Sequence, residues 1–392
     1  MGSAITLFAI IVCVLTAGWC VKRIAKSAGL IKLGGFIQGV ALAALLLELL
    51  AAVLLRWYIG AWVYALPLNQ NDKLFEPHPY LVGVNRKGVE ERLGGFVFTH
   101  NTKGFRGEEW EVKSNDRVRI AAIGGSTTYG VGVNDWETWP YYLDSLLGDK
   151  AEVLNLGIPG HSTVEHIIFT ALQLREIDPD VVIIHAGLND LRNGHAPQLT
   201  LDYSNFHAPS LKSSLGLCPE EQLPRIAILR LVVRLMQTLH WYPDCNVAAE
   251  VMAGTVVSTP DERILNYYSH NLNTLVDLLH ARQTKVVLVP QVLAKDAFQE
   301  GNYRWWAPFV ADEAIFPFQR ALNSVMKSVA DKRCCGYPEV LDTIVWETTV
   351  FADPSHLNAQ GNLEFAQHLS NWFSSSVATE IQGKDCATAN ER

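Results

Sequence analysis

Two long apolar runs open the chain. Residues 4–21 carry no charge, and residues 33–55 are rich in Leu and Ala, with Gly34, Gly35 and Gly39 among them. Each run is long enough to cross a hydrocarbon core of roughly 30 Å as a helix, and the glycines allow a neighbouring helix to come close. The pattern predicts a transmembrane helical hairpin. Between the runs stand Lys22, Arg23, Lys26 and Lys32 with no acidic residue, so the positive-inside rule holds this loop in the cytoplasm and puts both termini outside. Trp57, Tyr58, Trp62 and Tyr64 then mark the exit interface. A cleaved signal peptide needs a basic start, which residues 1–21 lack. The opening Met-Gly-Ser-Ala-Ile-Thr fits a loose myristoylation pattern, but the apolar run that follows makes the match accidental. Glu48 lies inside the second run, where a carboxylate costs about 3 kcal/mol at a helix centre. It reads either as a packing or near-interface group or as a functional intramembrane acid; the first run offers it no basic partner.

Beyond residue 67 the rhythm changes. Residues 68–115 are polar, Gly-rich and aromatic, and read as a linker followed by lead-in strands. From 116 to 376 short apolar runs at 119–123, 153–156, 181–185 and 286–289 close on Gly or Pro, and stretches with helical spacing stand at 138–147, 161–176, 316–330 and 359–373. Such alternation predicts a parallel sheet covered on both faces. Residues 191–260 interrupt it and are too long for an ordinary loop. Inside this insertion Ile226, Leu229, Val233 and Met236 fall at helical spacing among Arg225, Arg230 and Arg234, which suits a lid, a membrane-facing helix or a helix packed on the core. Trp305 and Trp306 suit a substrate mouth or the interior. The tail at 377–392 reads as disordered.

Composition sharpens this picture in two places. Only 18% of residues are charged, against about 25% in soluble domains, and the deficit is concentrated in the first 67 positions. A net charge of -8 without a long Lys/Arg run removes the electrostatic footprint of a nucleic-acid binder. Of the cysteines, Cys13 and Cys20 sit in the first apolar run, whereas Cys218, Cys245, Cys334, Cys335 and Cys386 fall on the outer, oxidising side. Cys218 and Cys245 lie within the insertion, and a bridge between them is the favoured pairing.

In a doubly wound sheet the carboxyl ends of adjacent strands converge on one crevice. The first run leads to Ser126 in Gly124-Gly125-Ser126-Thr127, where small neighbours leave a hydroxyl exposed at the start of a helix. The second leads to Gly157 in Asn155-Leu156-Gly157-Ile158-Pro159-Gly160, which offers an unobstructed backbone N–H. The third leads to Gly187-Leu188-Asn189-Asp190, which offers a side-chain amide. Two backbone donors and one amide around a hydroxyl suit a developing oxyanion. Near the other end Asp353-Pro354-Ser355-His356 supplies an imidazole with a carboxylate three residues before it. The glycines lack the Lys of a P-loop and the full dinucleotide fingerprint, and His161 and His166 are five apart, where a helical zinc pair needs four.

With these blocks in this order the sequence resembles the SGNH hydrolases, the GDSL-like esterases and lipases. The resemblance covers about 117–374 and implies a flavodoxin-like three-layer α/β/α sandwich. It makes Ser126 the nucleophile, His356 the base and Asp353 its partner, with Ser126, Gly157 and Asn189 as oxyanion donors, and it calls for neither metal nor cofactor. Gly125 replaces the Asp often found before the serine. The lead-in Asn101-Thr102-Lys103-Gly104-Phe105-Arg106-Gly107 is similar to that of bacterial members. The expectation is a membrane-anchored, extracytoplasmic serine esterase acting on an ester-bearing small molecule, lipid or glycan. An O-acyltransferase with the same site, or a non-catalytic subunit of a membrane assembly, are the alternatives.

Overall fold

A computed structural model describes residues 2–24, 27–59 and 73–375, apart from 111, 115, 197–198, 201, 204–217, 219–222, 224–225, 240, 243–255, 297, 299–305 and 308. Lys26, Trp62, Tyr64, Arg225, Cys245, Trp305, Cys386 and the 377–392 tail lie outside the described residues, as does the Tyr58 side chain. The chain forms two compact units, one of residues 1–69 with 216–245 and the other of 70–215 with 246–392.

In the first unit α1 (Gly2–Ile24) and α2 (Ala28–Ile59) pair as a hairpin. A side chain on Gly34 would stand 2.9 Å from the Gly18 carbonyl oxygen, and the Gln38 amide donates to the Leu15 carbonyl at 3.2 Å, so the helices touch at the small residues. Gly39 faces open space and plays no part in that contact. Within α2, Ala28–Trp57 is long and apolar enough to cross a membrane.

The second unit begins with two antiparallel hairpins, β1 (Phe75–Glu76) with β2 (Val84–Asn85) and β3 (Val89–Leu93) with β4 (Phe96–His100). The alternating segment follows as β5 (Val118–Gly124), α3 (Ser126–Tyr129), α4 (Trp139–Leu147), β6 (Ala151–Gly157), α5 (Thr163–Leu172), β7 (Val181–His185) and α6 (Leu188–Gly194). After it come α7 (Ala227–Thr238), which belongs to the first unit, then α8 (Glu262–His280), β8 (Lys285–Val289), α9 (Asp312–Lys332), α10 (Val340–Thr343) and α11 (Ala359–Ser374). The described strands β6-β5-β7-β8 form one parallel sheet in that order.

Period-two alternation splits each strand between two cores. Ala121, Ile123, Val182, Ile184, Val286 and Leu288 point to the layer of α5, α8 and α9, where Phe169, Leu272, Leu275, Phe318 and Leu322 meet them. Ile120, Ala122, Val181, Ile183, Val287 and Val289 point the other way, onto Trp139 and Leu143 of α4 and Phe365 and Leu369 of α11. The result is the three-layer α/β/α sandwich. Because β5 is flanked by β6 and β7, successive crossovers leave it in opposite directions. A crevice opens there, at the carboxyl ends of β5 and β7.

Candidate active site

Ser126 is the first residue of α3, directly after β5, so its own N–H has no intrahelical acceptor. Gly125 is needed for its neighbour: a side chain there would stand 2.5 Å from the Asn189 amide nitrogen. Gly124 has no more room, since a side chain would collide with Thr128. An aspartate in place of Gly125 is thus incompatible with Asn189 as it stands.

His356 approaches from the turn that precedes α11. Its Nε2 lies 2.8 Å from Ser126 Oγ, and its Nδ1 lies 2.7 Å from Asp353 Oδ2. The other oxygen, Asp353 Oδ1, accepts the N–H groups of Ser355 and His356 at 2.9 Å each and the Ser355 hydroxyl at 3.0 Å. Burial disfavours the Asp353 charge, but the facing imidazole and these hydrogen bonds more than offset it and hold the carboxyl well below the ordinary range. Asp353 therefore stays ionised and keeps the Nδ1 proton, leaving Nε2 free to take one from serine. Bonds from Ala352 N to His356 O at 2.8 Å and from Ala294 N to Pro354 O at 2.9 Å fix the turn to the loop after β8.

Asn189 stands at the start of α6 after β7 and donates one amide hydrogen to the His161 carbonyl at 2.9 Å, which leaves a second for a ligand. With Ser126, Thr127, His185 and Gln291 it lines a cleft of about 220 Å³. Gln291, on the loop after β8, accepts from the Thr127 hydroxyl at 3.2 Å and was not anticipated from sequence. His185 also borders the cleft, but burial pushes its imidazole down to about 3, too weak a base to compete with His356.

Gly157 is a correction. It is the last residue of β6, paired with Gly124, and its N–H is already donated to Asn155 Oδ1 at 3.0 Å. The space where its side chain would be is filled by the backbone of Thr128 and Tyr129. Its lack of a side chain serves close packing under α3 rather than an open donor. The strand runs one residue past the last apolar position, so the loop begins at Ile158. Ile158-Pro159-Gly160-His161 then forms a tight turn, closed by His161 N to Ile158 O at 3.2 Å, with Gly160 at φ +84°. The left-handed Gly160 suits the third position of a type II turn, for which the Pro-Gly pair is the sequence signal.

Behind the site, Asp190 accepts Thr163 N at 3.1 Å and the Thr163 hydroxyl, tying α6 to the start of α5. Burial pushes its carboxyl up to about 7 in spite of these bonds. Arg106, from the lead-in motif, is buried against α3. It pairs with Asp135 at 2.8 Å, donates to the carbonyls of Tyr129 (2.8 Å), Gly130 and Val133 (2.6 Å), and lies over the rings of Phe98 and Tyr129.

A model of the GDSL-like lipase/acylhydrolase family matches residues 122–363. Among solved structures the chain is similar to the acetylxylan esterase Axe2 of Geobacillus stearothermophilus, at 15% identity and TM-score 0.38, over 67% of this chain and 98% of that one. A GDSL-like lipase of Bacteroides thetaiotaomicron gives 13% and 0.36 over 68% and 88%. A member of the lipolytic G-D-S-L family from Veillonella parvula gives 14% and 0.38 over 66% and 98%. No curated protein sequence matches the chain.

Proposed function

The chain belongs to the GDSL-like lipase/acylhydrolase family, whose model spans more than half of it, and on that premise we propose that it is a membrane-anchored serine esterase working outside the cytoplasm. The observation that carries the reading is the unbroken path from Ser126 Oγ through His356 to Asp353. His356 takes the serine proton as Ser126 attacks an ester carbonyl. The resulting oxyanion is met by the Ser126 N–H, the second amide hydrogen of Asn189 and the Gly160 N–H, each worth about 3 to 4 kcal/mol in the transition state. His356 then protonates the leaving alcohol, and a water it activates releases the acid from the acyl-enzyme.

The anchor is the α1–α2 hairpin, with Lys22 and Arg23 held on the cytoplasmic side. The test uses the full-length chain with a fluorophosphonate probe and an ester series of increasing acyl length. A mass-mapped adduct on Ser126 and loss of ester turnover in Ser126→Ala are expected; hydrolysis that survives Ser126→Ala removes the reading. Product analysis with an added glycan or lipid acceptor identifies an acyltransferase, by an ester on the acceptor in place of free acid. A cytoplasmic signal from a reporter fused after Trp57 would reverse the topology.

A further inference from the structure

Glu48 is 1% exposed although it lies in the middle of an apolar helix. Its two carboxylate oxygens accept the N–H groups of Ala227 at 2.6 Å and Ile228 at 3.0 Å, the first residues of α7. An anion at this end of a helix satisfies donors that have no partner within it and complements the helix dipole. Ala51, Ala52 and Leu55 of α2 continue the contact against Ala227 and Leu231, so α7 runs alongside α2 toward Arg56 and Trp57.

Two features of α7 do not suit an aqueous surface. Ile228, Val232, Leu235 and Leu239 form a stripe along one face and are all exposed, as are Leu46, Leu49, Leu50 and Val53 of α2. Its polar side chains are turned back on the protein: Arg230 donates to the Leu223 carbonyl at 2.7 Å and Arg234 to Gln237 at 3.1 Å. Glu48 precedes Arg56 by eight residues, about 12 Å along a helix, which sets the N-terminus of α7 well below the exit interface. At 12 residues, α7 spans about 18 Å and is too short to cross a bilayer. The chain on either side of residues 216–245 belongs to the catalytic unit.

We propose that α7 is a re-entrant membrane helix, which starts at the depth of Glu48, presents its apolar stripe to lipid acyl chains and runs back toward the interface marked by Arg56 and Trp57. The inference rests on the reading of α2 as a membrane span. Glu48 is then a structural acid that lets a helix begin inside the apolar layer, where open N–H groups persist only if they are met by protein. The bilayer is the partner of the α7 stripe because α7 packs directly on α2, the helix long and apolar enough to cross a membrane.

The test is photolabelling of the full-length protein in phosphatidylcholine vesicles carrying a diazirine at mid-chain, with peptides mapped by mass spectrometry. Label is expected on α2 and on the outer face of α7, at least about tenfold above that on α9 of the catalytic unit. Label on α2 with none on α7 overturns the inference and leaves the anchor standing, whether water or another protein covers the stripe. No label on either helix removes the anchor reading and the inference with it. In Glu48→Leu the N–H groups of Ala227 and Ile228 lose their acceptor, and label around Leu231 is expected to move from the mid-chain probe to one carried near the headgroup. An unchanged depth in that variant would show that Glu48 does not hold α7.

Discussion

The two halves of the candidate catalytic site are built by opposite means. The half around Ser126 and Asn189 is set by buried groups brought together from distant parts of the chain: Arg106 against the carbonyls after α3, Asp190 against Thr163, and the His161 carbonyl against the Asn189 amide. The half around His356 is a four-residue turn whose carboxylate bonds almost wholly to its own neighbours, with the Asp353 side chain 47% exposed. A nucleophile and its oxyanion donors must hold fixed positions, which only a packed scaffold supplies. The base must reorient between serine and leaving group, and a local turn at the surface permits that.

Substitutions can break or sharpen this contrast. The largest effect is expected where the halves meet: Ser126→Ala should lower kcat by roughly 10⁴-fold or more in steady-state assays on an activated ester. Arg106→Leu tests the buried half, since it strands Asp135 and four carbonyls, and a loss of about 3 to 5 kcal/mol should appear as a lower denaturation midpoint. Asn189→Ala should lower kcat roughly 100- to 1000-fold with KM little changed, because its donor acts mainly in the transition state. Asp353→Ala tests the local half. It should be milder still, about 10- to 100-fold in kcat with the melting temperature nearly unchanged, because this turn carries little packing. If Asp353→Ala unfolds the protein while Arg106→Leu leaves its stability intact, the contrast is wrong.

The smallest effect is one of pH. The Asp190 carboxyl is raised in the fold to about 7 from 3.8, so the folded state binds the proton more tightly and loses stability as pH rises between those values. Between pH 6 and 8 the loss is about 1 kcal/mol, or roughly 2–4 °C in melting temperature. Asp190→Asn should therefore gain on the wild type as pH rises over that interval, as paired thermal melts would register.

Much of this was legible because apolar runs ending in glycine mark strand ends, and strand ends are where doubly wound sheets gather their chemistry. Ser126 and Asn189 were legible as candidates in that way, and Asp353 and His356 from the three-residue spacing of a carboxylate and an imidazole before the last helix. Gly157 was misassigned because an apolar run tells where a strand begins to be buried, not at which residue its ladder stops. Helix α8 carries Ile264, Tyr268, Leu272 and Leu279 on one face, yet it was passed over because it follows directly on the irregular insertion. The role of Arg106 depends on depth of burial and on partners such as Asp135 and Tyr129, 29 and 23 positions away, which sequence does not reveal. For Glu48 the first apolar run offers no basic partner, and the main-chain N–H groups of Ala227 and Ile228 that it accepts have no letter in the sequence.

The hydrogen bond between Ser126 and His356 joins positions 230 residues apart, and this has a bearing on how the protein is made. A ribosome delivers Ser126, Asn189 and three of the sheet's strands first, and the His356 imidazole only much later in the chain. Until then the hydroxyl lacks a base and is chemically ordinary. On the proposed mechanism a chain stopped before His356 is silent toward esters, however well the first strands of its sheet have formed.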